Sequence, residues 1–174
     1  MGATGVHDET RPSALSDWRA NRGQPHIQVA LLLFRLAGRA RASRSAPGRT
    51  AAKLIAAAYR GYALTVTSID IPTRTLIGPR LVIRHGFGLV VHADARIGAD
   101  VTLRHGVTVG ALTGTRRAPI IGSGTDVGSG AQIIGDVTVG DGSRIGSGAV
   151  VVRDVPAGTT AVGNPARILG QVDR

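Results

Sequence analysis

The sequence predicts a mainly β fold, a parallel β-helix of hexapeptide repeats preceded by a short α-helical segment. Three observations predict it. A period of six runs through the second half of the chain: Ile121, Val127, Ile133, Val139, Ile145 and Val151 share one phase, and Val91, Ile97, Leu103 and Val109 extend it upstream. Gly122, Gly128, Gly140 and Gly146 directly follow four of these aliphatics. Residues 14–61 lack that period and carry apolar residues at spacings of three and four. Six is neither the period of a helix nor the alternation of a sheet, and a fixed short period is the mark of a solenoid.

The elements follow in order. Residues 1–13 are expected to be disordered. Residues 14–66 form the helical segment, with Leu15, Trp18, Val29, Leu32, Leu33 and Leu36, then Leu54, Ile55 and Ala58, giving apolar faces. Ser16 stands where a first helix would be capped, and 41–49, with its Ser, Pro and Gly, links two helices. The β-helix occupies 67–170. Each hexad makes one flat side of a triangular prism, its aliphatic inward and its glycine at the corner, where a positive φ is cheap only for glycine. Three hexads close a coil of eighteen residues, about five coils in all. Ile77 and Ile83 open the phase, with a two-residue insertion before Val91. From Pro156 the period ends, and GNPARIL (163–169) predicts a turn and a closing segment.

Composition narrows the function. With no cysteine, disulfides, thiolate metal sites and cysteine nucleophiles are excluded together. The net charge of +10 is almost entirely arginine, with Lys53 the one lysine, and it is spread along the chain. Two Tyr and two Phe are too few for base stacking, so nucleic-acid binding is not expected. A basic surface suits a phosphorylated cofactor or an anionic membrane face equally well. The N-terminus lacks the apolar stretch of a secretory signal, and the apolar run Val29–Phe34 is too short to span a bilayer, so the expected location is the cytoplasm.

The chemistry gathers at one edge. Arg84-His85-Gly86 and Arg104-His105-Gly106 lie one coil apart once the insertion is counted, so the two triplets are expected to stack. Asp70 precedes His85 by fifteen residues and returns to the same neighbourhood. A carboxylate beside an imidazole fixes its tautomer and supports the charge formed when it accepts a proton, the arrangement of a general base.

From about Ser68 the chain resembles the serine O-acetyltransferase branch of the hexapeptide acyltransferases. The resemblance rests on IDI (69–71), RHGFGLVV (84–91), HGVTVG (105–110), GSGAQIIGDVTVG (128–140), IGSGAVVVRDVP (145–156) and AVGNPARILG (161–170). It implies a left-handed β-helix, a homotrimer or a dimer of trimers, and acetyl-CoA as co-substrate without a metal. His85 is then the general base and Asp70 its orienting partner, with backbone N–H groups at glycine corners as oxyanion donors. Gly110, Ala111, Gly130, Ala131, Gly148 and Ala149 are the implied groove for the pantetheine arm, and Arg153 and Arg167 the phosphate partners. Arg84, His105 and Arg117 line the acceptor.

Two departures bear on that acceptor. Arg84 stands where the family usually has an aspartate that holds the serine amino group, and Arg117-Ala118-Pro119 replaces Arg-His-Pro on a shorter loop. The segment DWRANRG (17–23) and FRLA (34–37) resemble sugar-modifying relatives of the colanic acid and polysaccharide acetyltransferase type. The expected acceptor is therefore a hydroxyl of a sugar or natural-product intermediate, with serine as the alternative. Two other classes compete: a zinc enzyme of the γ-carbonic anhydrase type, using His85, His92 and His105, and a scaffold without activity. The apolar face at Leu31–Leu36 could cap the prism, join two trimers or rest on a membrane surface.

Overall fold

The computed structural model describes residues 12–43, 45–112 and 117–169. Most of the segment expected to be disordered, the shortened loop and residue 170 fall outside them. The helix expected from residue 14 is instead a run of turns over 14–23, and helix α1 spans Pro25–Ala40. Proline suits the first helical turn, where its missing N–H has no partner to lose. Ser16 caps nothing, and its Oγ is buried without a hydrogen bond. Helix α2, Ala46–Tyr62, begins inside the expected linker because Pro47 fits its first turn and the Ser45 side chain accepts from the Gly48 N–H. One π-helical turn, Ala63–Thr67, continues it and stops at Ser68, which has φ 53°.

The rest is a parallel solenoid with three faces. The first sheet contains β1 (Ile69–Asp70), β4 (Leu89–Val91), β7 (Thr108–Gly110), β10 (Gln132–Ile134) and β13 (Val150–Val151). The second contains β2 (Leu76–Ile77), β5 (Arg96–Ile97), β8 (Ile120–Ile121) and β11 (Thr138–Val139). The third contains β3 (Val82–Arg84), β6 (Thr102–Arg104), β9 (Asp126–Val127), β12 (Arg144–Ile145) and β14 (Thr160–Val162), with β15 (Arg167–Ile168) at its end. The chain thus makes four full coils and part of a fifth.

Each side of the prism points two residues inward rather than one. Ala131 and Ile133, or Ala149 and Val151, are buried on either side of one outward residue, as the pleat requires. Burying an isoleucine such as Ile133 completely contributes about 1.5–3 kcal/mol. The small polar inward residues are satisfied locally, as where the Ser143 Oγ donates to the Pro156 carbonyl at 2.9 Å.

The corner glycines differ from the expectation. Those that directly follow the inward aliphatics do not take positive φ; that belongs to a second set, including Gly106, Gly130 and Gly148. The first set is small for another reason. A Cβ on Gly140 would lie 2.4 Å from the backbone nitrogen of Ala157 in the next coil, so stacking of coils excludes a side chain there.

Both ends of the prism are covered. Ile27, Leu31 and Phe34 of α1 and Tyr59 of α2 join the same core as the first-coil residues Ile69, Leu81 and Ile83. The apolar face of α1 is therefore used as a cap. At the far end β14 and β15 form the expected turn and closing segment, pairing antiparallel with Ala161 opposite Ile168.

Candidate active site

The edge where the third sheet turns into the first holds both RHG triplets. Ile83 pairs with Leu103 and Arg84 with Arg104 in parallel register, and the His85 and His105 rings lie 6.3 Å apart, edge to face. Beyond that arginine pair the triplets share an edge but do not stack residue on residue. The Gly106 N–H donates to the Phe87 carbonyl at 2.8 Å, and Gly88 rather than Gly86 lies against Gly106. Phe87 is thus the coil equivalent of His105. The two-residue insertion lifts His85 and Gly86 out of the repeating column.

That insertion places His85 unusually. It is exposed and has φ 59°, one of four non-glycine residues with positive φ among the described residues. Its backbone N–H donates to the Gln24 Oε1 at 3.3 Å, and its carbonyl accepts from the Phe87 N–H. A strained, non-glycine corner bearing an exposed imidazole is the kind of backbone outlier that collects at functional sites.

Asp70 is one step removed. It opens the first sheet beside Val90, and the Gly88 N–H donates to the Ser68 carbonyl directly below the His85 corner. Its ionic partner is Arg60 of α2 at 3.7 Å, and no hydrogen bond joins it to His85 among the described residues. With Arg60, Tyr59 and Arg74 it lines a cleft of about 410 Å³ between α2 and the first coil, which His85 does not line. Arg60 was not singled out by the sequence, because its position depends on how α2 docks. Arg84 is exposed without an ion pair among the described residues, whereas Arg104 holds Asp126 at 2.6 and 3.3 Å.

The residues expected for the coenzyme divide between two edges. Gly130 and Gly148 extend the His85–His105 edge. Gly110 and Ala111 lie at the opposite edge of the first sheet, across strand β7 from His105. Arg117 is also on that side, bound to Asp136 at 3.0 Å, as is Arg153; Arg167 lies on the third sheet. Ala131 and Ala149 turn their methyl groups into the core, so only their backbone can face a ligand. The corner N–H groups expected as oxyanion donors are already used: Gly130 donates to His105 and Gly148 to Ser129, each at 2.9 Å. His92 stands apart from the other two histidines, its Nδ1 accepting from the Asp94 N–H at 3.2 Å. Among the described residues no group of three or more His, Asp or Glu is placed to hold a metal.

A prism of hexads is the architecture of hexapeptide-repeat proteins. Residues 118–153 match the family described as bacterial transferase hexapeptide (six repeats). The serine acetyltransferase of Helicobacter pylori strain 26695 is 39% identical over 161 residues, covering 91% of this chain and 89% of the relative. That of Mycobacterium tuberculosis is 39% identical over 122 residues, and the match spans 53% of its length. Among solved structures, soybean serine acetyltransferase complexed with serine superposes with TM-score 0.76 at 33% identity, covering 90% of this chain and 68% of that one. The Brucella abortus serine acetyltransferase in complex with coenzyme A gives 0.69 at 30% identity, covering 91% and 58%. The chain belongs to the serine acetyltransferase branch of the hexapeptide-repeat acyltransferases, a class of acetyl-CoA-dependent O-acetyltransferases.

Proposed function

We propose that this chain transfers the acetyl group of acetyl-CoA to the hydroxyl of L-serine, with His85 as general base. The observation that carries this is the alignment with a serine acetyltransferase over 91% of the chain. The sugar acceptor expected from Arg84, Ala118 and the N-terminal motif gives way to serine because the relatives that match along the chain carry that name, and a structural neighbour was solved with serine bound.

In this reading the His85 imidazole takes the hydroxyl proton while the oxygen attacks the thioester carbonyl. The tetrahedral intermediate then collapses to the acetyl ester and the coenzyme thiolate, which recovers the proton from the imidazolium. Asp70 is assigned to orient His85, although the partner it has in the structure is Arg60 at 3.7 Å. Arg84, with its unengaged guanidinium beside His85, receives the acceptor's carboxylate, a match that neither Ala118 nor His105 offers. His105 lines the acceptor from the next coil.

Gly110, Ala111 and Arg153 on one edge, and Gly130 and Gly148 on the other, make two walls of a coenzyme groove. A single prism holds them on opposite edges of one sheet, which supports a homotrimer in which neighbouring copies supply facing walls. Arg167 for phosphate and Arg117 for the acceptor enter this reading from the resemblance alone, since Arg117 lies on the edge away from His85 and Arg167 on the third sheet. No helix among the described residues is long and apolar enough to cross a membrane. The cytoplasm, the location expected from the sequence and one that supplies acetyl-CoA, is kept as part of this reading.

The test is thiol release from acetyl-CoA with L-serine against a panel of free and nucleotide-linked sugars. Saturable turnover of serine is expected; turnover confined to a sugar would overturn the acceptor and keep the base.

A further inference from the structure

The sheet that leads into His85 has an open edge at β3, beyond which no strand lies among the described residues. An open edge leaves backbone donors and acceptors without partners, and burial makes that costly. Here three side chains on successive turns take the place of the absent strand. Asp17 Oδ1 accepts from the Leu81 N–H at 2.9 Å. Asn21 donates to the Leu81 carbonyl at 2.7 Å and accepts from the Ile83 N–H at 2.9 Å. Gln24 donates to the Ile83 carbonyl at 3.1 Å and accepts from the His85 N–H at 3.3 Å. Spacings of four and three along the N-terminal turns thus match steps of two along the strand.

We propose that Gln24 is a positioning residue for His85, its carboxamide holding the histidine in the left-handed conformation at the inserted corner. Asp17 and Asn21 are buried and serve the strand itself, while Gln24 is half-buried and is the rung that reaches the histidine. The comparison with another strained corner is instructive. Arg80 and Asp100, also at positive φ, hold each other side chain to side chain. The His85 ring makes no hydrogen bond among the described residues and meets the His105 ring only edge to face, so its direction is set chiefly by its backbone, and Gln24 is the side chain that binds that backbone. Without the carboxamide the corner loses the bond that favours its left-handed form, and the imidazole moves relative to the acceptor.

The proposal rests on His85 being the base, and the experiment separates the two. Turnover is measured for the wild type, Gln24→Ala, His85→Ala and the double variant, with thermal midpoints alongside. A displacement of an ångström can cost up to about a hundred-fold, so Gln24→Ala is expected to lower kcat by about ten-fold while both KM values stay within about two-fold. In the His85→Ala background the same change is expected to leave the residual kcat unaltered, because the two residues act as one unit. Gln24→Glu keeps an oxygen for the His85 N–H but sets a carboxylate oxygen against the Ile83 carbonyl, so its kcat is expected to fall between those of Gln24→Ala and the wild type. Equal losses from Gln24→Ala in both backgrounds, tracking the fall in thermal midpoint, would overturn the proposal and leave Gln24 a structural residue. Near-normal turnover of His85→Ala alone would remove the base assignment, and this proposal with it.

Discussion

His85 adopts φ 59° although a β-carbon disfavours that region by about 1–2 kcal/mol. Glycine would relieve this and give back part of the gain through the greater freedom of the unfolded chain, about 0.5–1 kcal/mol. His85→Gly is therefore expected to leave stability unchanged or raise it by up to about 1 kcal/mol, while kcat falls by roughly a hundred-fold or more. Thermal unfolding and turnover on the same preparation check this; a thermal midpoint lowered by several degrees would mean the ring has a packing role. Arg84 makes a second prediction. A charge-assisted contact to a carboxylate contributes about 1.5–3 kcal/mol, so Arg84→Ala should raise KM for serine by about ten- to a hundred-fold and change kcat little. An unchanged KM would remove Arg84 from the acceptor site. That His85 and His105 share an edge was legible in the sequence from the coil spacing, but the expected stacking was not met: Phe87 is the coil equivalent of His105, because the insertion shifts the register by two residues. The partners Arg60 and Gln24 were not legible, since they come from segments whose docking the hexad period does not encode.

Helix α2 is fixed to the prism by Tyr59, whose hydroxyl donates to the Ile71 carbonyl at 2.8 Å and whose ring tilts against Phe34 at 5.7 Å. Burial pushes the phenol pKa well above its ordinary value, and the negative charge of Asp70 adds to the rise. A raised folded-state value means the stability is fully present below the ordinary phenol range and is lost as pH rises through and beyond it. Tyr59→Phe should cost about 1–2 kcal/mol at neutral pH, because the Ile71 carbonyl is left without its donor. The gap to wild type should narrow above about pH 10, where only the wild type suffers the penalty of a buried phenol under alkaline conditions. Urea unfolding at pH 7 and pH 11 measures both, and a gap that widens would contradict the assigned cause. At this scale the hexad phase revealed the inward aliphatics and the faces of the prism. It did not reveal which glycines turn the corners: close coil stacking and left-handed φ both select glycine, and a sequence records only the residue. The turns at 14–23 read as helix from the apolar pair Leu15 and Trp18, three residues apart, a spacing that consecutive turns share. Asp17, Asn21 and Gln24 repeat at nearly helical spacing because they match a strand edge, not because they extend α1.

A solenoid is held together by nearest neighbours, so its stability depends on how its two ends are finished. The far end is closed by a hairpin; the near end is capped by the apolar faces of α1 and α2 and tied to the first coil by a buried ion pair. Arg35 binds both oxygens of Asp17, at 2.7 and 3.1 Å, and donates to the carbonyls of Ile77 and Gly78, each at 2.6 Å. Both side chains are almost entirely buried. Replacing the pair together with apolar residues could be nearly neutral, but removing one partner leaves a buried charge uncompensated, at about 3–5 kcal/mol. In Arg35→Ala that charge is the Asp17 carboxylate, which is also the acceptor for the Leu81 N–H. The damage should therefore be concentrated in the first coil. Hydrogen exchange is expected to show the Leu81 and Ile83 amides losing protection, while Gly128 and Gly140, bonded to Ile145 and Val155 three and four coils along, keep most of theirs. Because His85 follows this edge directly, activity should fall at temperatures where the remaining coils are still folded. Uniform loss of protection in all coils would instead mean that the prism and its helical cap unfold as one cooperative unit, and that the site is as stable as the whole molecule.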